Sequence, residues 1–258
     1  MQQVNLSSTG PTDEAFLVKF LRARKYNVER ACDSIKKYFA CRRENPDIFE
    51  GLTPDCIPFD VACRQHQLVT VSRKKDPKGR VVFLINGGMW NTNVCSMNDL
   101  FKVEVVHMEQ MLLDEAAQIK GFVAVYNLKG LGVHHLAQYT PSVIRKLIQL
   151  VQDCLPMRIK AVYIINNPPL FDALFSIAKP FMKAKLLQRT HLLGNDADKM
   201  RELLPDDLIP EEHGGSLERY DYDEIKRELE SKTKFFEDLN RCGYQQSRDE
   251  FLLQSSRD

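Results

Sequence analysis

Apolar residues recur every three to four positions near the start of the chain and later give way to unbroken runs. The stretch FLVKFLRARKY sets Phe16, Leu17, Phe20 and Leu21 on one face of a helix starting at Thr12. Asp13 and Glu14 fall in its first turn, where the helix dipole favours acids. Asn27 is placed to cap a second helix that runs to about Asn45 and is interrupted by Pro46, and Pro54 to Cys63 suits one more short helix. From about Gln67 the period changes, and QLVTVS and RVVFLIN read as strands around the turn-rich KKDPKG. A helix over NDLFKVEVVHMEQMLLDEAAQ and a strand over GFVAVYNL follow. Then come a helix over TPSVIRKLIQLVQDC, capped by Thr140 with Pro141 in its first position, and a strand over IKAVYIIN. RTHLL predicts a short last strand, DADKMRELL a short helix, and DYDEIKRELESKTKFFEDL a polar C-terminal helix.

Continuous apolar strands alternating with helices predict an α/β fold. Its sheet should be mostly parallel and covered by helices on both sides, with a small all-helical unit before it. The expected divisions are a disordered tail over 1–11, the helical unit over 12–58, the α/β domain over 59–220, and a C-terminal helix with a frayed tail over 221–258. No internal repeat is visible.

Composition narrows the function more than it names it. The 258 residues carry a formal net charge of only +1, so no global field selects nucleic acid, and none is expected as a partner. Seven cysteines without a C-x-x-C pair point to a reduced, cytoplasmic setting. The first residues lack the basic and apolar regions of a signal peptide, and no apolar run reaches the length of a membrane span, so membrane contact should be peripheral. KGLGVHH lacks the third glycine of a dinucleotide fingerprint. INGGMW has no Lys-Ser or Lys-Thr of a phosphate loop, and no G-x-S-x-G elbow occurs. Adjacent His134 and His135 make a poor metal pair and read as surface or turn histidines, and Glu109, Asp114 and Glu115 read as a solvated helix face. Neither an enzyme nor a cofactor or metal is expected.

The stretch NPPLFDALFSIAKPFMKAKLLQR, from Asn167 to Arg189, is apolar in its first half and basic in its second. On a helix, Leu170, Phe171, Leu174, Phe175, Ile177, Ala178, Phe181 and Met182 cover an arc of roughly 160°, with a kink expected at Pro180. This pattern suits either an ordinary helix packed on a sheet or a lid. Between Pro156 and Arg189 the cations Arg158, Lys160, Lys179, Lys183, Lys185 and Arg189 face Asp172 alone, a local surplus of five (six minus one). Beside a broad apolar helix, that surplus suits docking on an anionic membrane. At about 1 kcal/mol per cation, six would support binding no tighter than tens of micromolar. Such docking is reversible.

FLVKFLRARKYNVERA, then LPMRIKAVYIINNPPLFDALFSIAKPFMKAKLLQRTHLLGN and LIPEEHGGSL, occur in the order seen in the CRAL-TRIO lipid-transfer family, and the chain resembles that family from about Thr12 to Tyr220. The resemblance implies a cavity that holds one hydrophobic lipid, tocopherol-, retinoid- or isoprenoid-like, beneath a movable gate helix over about 169–186. It implies cavity positions at Phe101, Glu104, Met108, Phe122, Ala124, Tyr126, Leu147, Leu150, Val151, Leu155, Met157 and Val162, with Phe171, Leu174, Phe175 and Ile177 from the gate. It also implies a phosphoinositide headgroup site at Arg24, Arg158, Lys160, Lys185 and Arg189. The order Arg158–Lys160 is swapped relative to tocopherol-carrying members, which keeps the charge and changes the geometry.

Two departures bear on cargo. Glu104 and Met108 stand where tocopherol carriers have small serines, and Lys129 stands where they have an acid. An unpaired buried carboxylate is costly, so Glu104 must meet a cation, a polar ligand group or water. The N-terminus is also shorter than is usual in the family, as in a truncated chain. The expected protein is a monomeric lipid carrier that moves cargo between phosphoinositide-bearing membranes, endosomal ones among them. The alternative is a phosphoinositide-dependent membrane-traffic adaptor that binds phospholipid; an oxidoreductase is a weaker third reading.

Overall fold

The computed structural model describes residues 13–209, 211, 215, 216 and 220–242, so the expected tail over 1–11 and the end of the C-terminal tail lie outside the described residues. Helix α1 spans Glu14–Ala23 and is capped by Asp13, whose carboxylate accepts from the Phe16 amide at 2.6 Å. Asn27 caps α2, Val28–Glu44, by accepting from the Arg30 amide at 2.9 Å. The two helices pack through a ring cluster in which Phe20 lies 5.1 Å from Phe16 and 5.5 Å from Tyr38. Pro46 opens a one-turn helix, α3, Pro46–Phe49. Pro54 to Cys63 is not one helix: a tight turn covers Pro54–Cys56 and a wider helical turn covers Asp60–Gln65.

Five strands follow, β1 Val69–Val71, β2 Val81–Asn86, β3 Phe122–Asn127, β4 Ile159–Ile165 and β5 Thr190–Gly194. They lie side by side in chain order; β1 is antiparallel to β2 and the rest are parallel. Each parallel crossover steps one strand in the same direction, and right-handed connections therefore put every crossover helix on one face. The helices are α4 Met97–Met111 and α5 Glu115–Lys120, then α6 Val133–Leu136 and α7 Pro141–Gln149, then α8 Leu170–Ala178 and α9 Ala184–Leu187. The chain after β5, with α10 Ala197–Leu203, covers the other face, where Val82, Leu84, Val123, Val125, Tyr163 and Ile165 pack against Met200, Leu204 and Leu208. Alternate residues thus serve two cores, as a two-sided sheet requires.

Two single helices of the sequence reading are pairs. The stretch 98–118 breaks at Leu112–Asp114, where Asp114 caps α5 by accepting from the Ala116 amide at 2.8 Å. The C-terminal helix breaks into α11 Tyr222–Glu230 and α12 Thr233–Asn240. At that joint the Ser231 and Thr233 hydroxyls donate to the carbonyls of Glu228 and Glu230 at 2.7 and 2.8 Å, in competition with regular helix bonding. The break lets Ile225 and Leu229 on one helix, and Phe236 and Leu239 on the other, enter the core that α1–α4 share.

Helix α4 is enclosed between α1–α3 and the sheet, which corrects the solvated-face reading of Glu109. That carboxylate is buried, accepts from the Tyr38 hydroxyl at 2.6 Å and lies 4.0 Å from the Arg42 guanidinium. Asp114 and Glu115 are exposed as expected, and Glu115 pairs with Arg22.

Candidate functional site

Between the crossover face of the sheet and α7–α8 the interior is hollow. The cavity measures about 190 Å³, and about 1200 Å³ of unfilled space when its opening to solvent is included. A void of roughly 10–15 Å³ already holds one water, so this is no packing defect. Its floor is Phe83, Phe122, Ala124, Tyr126, Ile159, Val162, Ile164 and Thr190, and its roof is Phe171, Leu174, Phe175, Ala178, Met182 and Leu186. Met108 and Met111 of α4, Leu147 and Ile148 at the end of α7, and Val151 in the wider turn that follows form the sides. Ala124 and Thr190 are small floor residues, and Ala124 stays half-buried at the middle of a central strand because nothing fills the space above it.

The roof follows from its sequence. Pro168 and Pro169 lead into α8, whose Phe171, Leu174, Phe175 and Ala178 face inward. Phe171 and Phe175 stack with ring centroids 5.9 Å apart. Asp172, Ala173, Ser176 and Lys179 face out. The kink expected at Pro180 is present: Lys179–Phe181 tightens into a narrower turn, Met182 is extended, and α9 begins at Ala184. Gln152 clasps this far end. Its Nε2 donates to the Phe181 carbonyl at 2.9 Å and its Oε1 accepts from the Lys183 amide at 3.1 Å. Lys183 also pairs with Asp153, and the Arg145 guanidinium lies 5.1 Å from the Phe181 ring.

Eleven of the sixteen expected cavity residues line this void: Met108, Phe122, Ala124, Tyr126, Leu147, Val151, Met157, Val162, Phe171, Leu174 and Phe175. Phe101 and Glu104 instead line a smaller void of about 40 Å³, which shares Tyr126, Leu128, Tyr139 and Leu147 with the large one. Three residues lie elsewhere. Leu150 and Leu155 pack in the core, because Leu150–Cys154 is a wider turn than an α-helix and rotates them away from Val151. Ile177 is 45% exposed on the outer side of α8. The expected wall also left out Phe83, Met111, Ile144, Ile148, Ile159 and Ile164, which lie on regular strands and helices, and Tyr139, Leu186 and Thr190, which sit in turns or at element ends where no periodicity marks a face.

Burial dominates the titratable groups here. It pushes the Glu104 carboxyl up to about 8 and the neighbouring His107 imidazole down to about 4. His107 Nδ1 lies 2.8 Å from the Val103 carbonyl, while its Nε2 has no partner among the described residues.

The five expected cations gather on one surface. Burial, and then Arg158, Arg189 and Lys185, hold the Lys160 ammonium below its ordinary range. Burial, and then Arg189, Lys25, Arg24 and Arg158, do the same for Lys185. Lys25 therefore joins the group, a residue the sequence reading left out. Arg24 donates to the Ser34 hydroxyl at 2.9 Å, Arg158 to the Ile119 carbonyl at 2.7 Å, and Arg189 to the Ile159 carbonyl. None of the five pairs with an acid among the described residues.

Other candidate chemistry is accounted for structurally. His135 is buried, not at the surface: its Nδ1 accepts from the Gly132 amide at 2.9 Å and its Nε2 lies 2.7 Å from the Trp90 carbonyl. The glycines of INGGMW and KGLG let two loops touch, since a Cβ at Gly88 would lie 1.8 Å from the Lys129 carbonyl oxygen. Among the described residues there is no cluster of metal-ligating side chains, and no helix is long and apolar enough to cross a membrane.

Comparison with known proteins agrees with this geometry. Residues 65–215 match the family model described as the CRAL/TRIO domain, and residues 5–37 match the one described as the CRAL/TRIO N-terminal domain. The chain is 33% identical over 217 residues to the Homo sapiens protein named alpha-tocopherol transfer protein-like, covering 84% of this chain and 62% of the relative. It is 32% identical over 210 residues to Clavesin-1 of Xenopus laevis, covering 81% and 63%. It therefore spans a little over three fifths of the length of these relatives. A crystal structure of Sfh5 superposes with a TM-score of 0.56 at 17% identity over 81% of this chain and 73% of that one, a likeness of fold alone.

Proposed function

The chain belongs to the CRAL/TRIO family, and from that premise we propose that it carries one hydrophobic lipid under α8 and exchanges it at anionic membranes. The observation that supports this reading is the apolar cavity of about 190 Å³ in the middle of the fold. Burial of hydrocarbon contributes about 0.8 kcal/mol per methylene, so a tocopherol-, retinoid- or isoprenoid-like molecule needs few polar contacts to bind. Helix α8 acts as the gate. Its roof residues other than Phe171 are only half-buried, its outer face is polar apart from Ala173 and Ile177, and the Gln152 clasp is its anchor at the far end.

The basic cluster docks the protein. Like charges held close without acids favour a polyanionic headgroup, and a phosphoinositide supplies several charges in one small volume. Docking at Arg24, Arg158, Lys160, Lys185 and Arg189 brings Lys185 of α9 and Arg189 just beyond it against the membrane. Opening of α8 then turns its inner aromatic face toward lipid. Membrane association is peripheral and reversible, the protein works as a monomer, and no catalysis is involved.

Native mass spectrometry of gently purified protein tests the reading. One neutral lipid per chain is expected; a bound phospholipid, or no ligand at all, would favour a phosphoinositide-dependent adaptor instead.

A further inference from the structure

A second hollow lies outside the lipid cavity, in the helical part of the fold. It is a groove of about 400 Å³ between α1, the turn that joins α4 to α5, and α12. Met111 lines the main cavity whereas Leu112 and Leu113 line the groove, so the end of α4 divides the two. Phe16, Phe235 and Leu239 extend its apolar walls. Four polar side chains also line it, and three of them are committed. The Asp13 carboxylate caps α1 by accepting from the Phe16 amide at 2.6 Å. Gln118 accepts from the Arg22 guanidinium at 2.6 Å and donates to the Leu112 carbonyl at 2.7 Å. Asp238 pairs with Lys234 at 3.3 Å and with Arg241 at 3.2 Å.

Lys19 is the exception. It is 4% exposed, and its ammonium has no hydrogen bond or ion pair among the described residues. The Nζ atom lies 5.1 Å from the Phe16 ring centroid and 5.4 Å from that of Phe235, which places it between two walls of the groove. Ring faces attract the charge, yet they offer no oxygen to its three N–H donors. Burial holds the ammonium below its ordinary range, against the pull of the Glu109 and Asp13 carboxylates, neither of which pairs with it. A buried charge without a partner is costly, and here it faces an apolar groove.

We propose that this groove is a second binding site, for an amphiphile with a single carboxylate such as a fatty acid, whose head pairs with Lys19 and whose hydrocarbon chain lies on Phe16, Leu112, Leu113, Phe235 and Leu239. The site is separate from the lipid cavity and does not depend on what that cavity holds. Its volume falls within the roughly 300–1,000 Å³ of small-molecule pockets. Charge selects the head. A carboxylate takes a charge-assisted hydrogen bond from the ammonium. Asp13 and Asp238 line the same groove and oppose a second negative charge, which disfavours phosphate and phosphoinositide heads. A neutral alcohol leaves the lysine charge uncompensated.

The test titrates octanoate, octanol and octyl phosphate separately into the isotope-labelled full chain and follows amide chemical shifts. Octanoate is expected to shift α1, Leu112–Leu113 and α12 saturably, and to bind there about tenfold or more tighter than octanol or octyl phosphate. K19M, which keeps the apolar bulk and removes the cation, should weaken octanoate by a similar factor, and K19R should keep most of the affinity. Shifts confined to β3 and α8, equal affinity for octanol, preference for octyl phosphate, or unaltered octanoate binding in K19M would overturn the assignment. The comparison of the three probes on wild type decides the matter even where K19M does not fold. Shifts in β3 and α8 report the lipid cavity separately, so the two sites stand or fall independently.

Discussion

Replacing Gln152 with Met removes both hydrogen bonds at the far end of α8 while keeping the length of the side chain. The two bonds, 2.9 Å to the Phe181 carbonyl and 3.1 Å from the Lys183 amide, each contribute about 1 kcal/mol net. Their loss therefore favours opening of this end by about 2 kcal/mol, or roughly thirtyfold. The Lys183–Asp153 pair remains, but it is exposed on the lysine side and contributes little. Hydrogen exchange read at the amides of 174–182 reports local opening directly, because these residues can open without global unfolding. The expected result in Gln152→Met is exchange faster by ten- to thirtyfold in that segment, with β3 and β4 unchanged. Equal acceleration in the strands would mean a general loss of stability, and no acceleration in 174–182 would refute the clasp.

Lys185→Ala with Arg189→Ala should weaken binding to phosphoinositide-containing vesicles by roughly thirtyfold at about 1 kcal/mol per cation, with cargo affinity unchanged; vesicle co-sedimentation and a lipid-transfer assay separate the two effects. Glu104 also predicts a pH dependence. Its folded carboxyl lies near 8 against an ordinary 4.5, so the stability it permits is full below pH 4.5 and is lost as pH rises toward 8. The loss has a ceiling of roughly 5 kcal/mol at about 1.4 kcal/mol per tenfold change in acidity, and melts of cargo-free Glu104→Gln should be flatter than wild type between pH 6.5 and 8, above the window in which buried His107 gives a slope of the opposite sign. Tyr38→Phe leaves the buried Glu109 carboxylate without its 2.6 Å donor, and Oε2 already has no partner among the described residues. The urea midpoint should fall by an amount equivalent to about 2–3 kcal/mol, with cargo selectivity intact.

Local chemistry made much of the fold readable. Asn27 as a cap, Pro141 at a first helical position and the unbroken apolar runs of β2, β3 and β4 each act within a few residues, and each appears where the pattern put it. What depends on distant partners was hidden. Glu109 looked solvated because its donor Tyr38 lies 71 positions away, and α4 is enclosed only once α1 and α2 fold over it. Helical periodicity grouped Ile177 with Phe171 and Phe175, yet the face that meets the cavity is narrower than the apolar arc. Leu150 and Leu155 were displaced from the wall by a wide turn that leaves no mark in an apolar pattern. Tyr139 and Thr190 reach the cavity only through the crossovers that bring their segments together.

A crystal structure of the protein purified without added lipid or detergent tests the carrier account most directly. The account predicts one elongated tocopherol-, retinoid- or isoprenoid-shaped density between Ala124 and Phe175. A floor and roof in mutual van der Waals contact, with Phe175 settled onto Ala124 and no room for a guest, would contradict it.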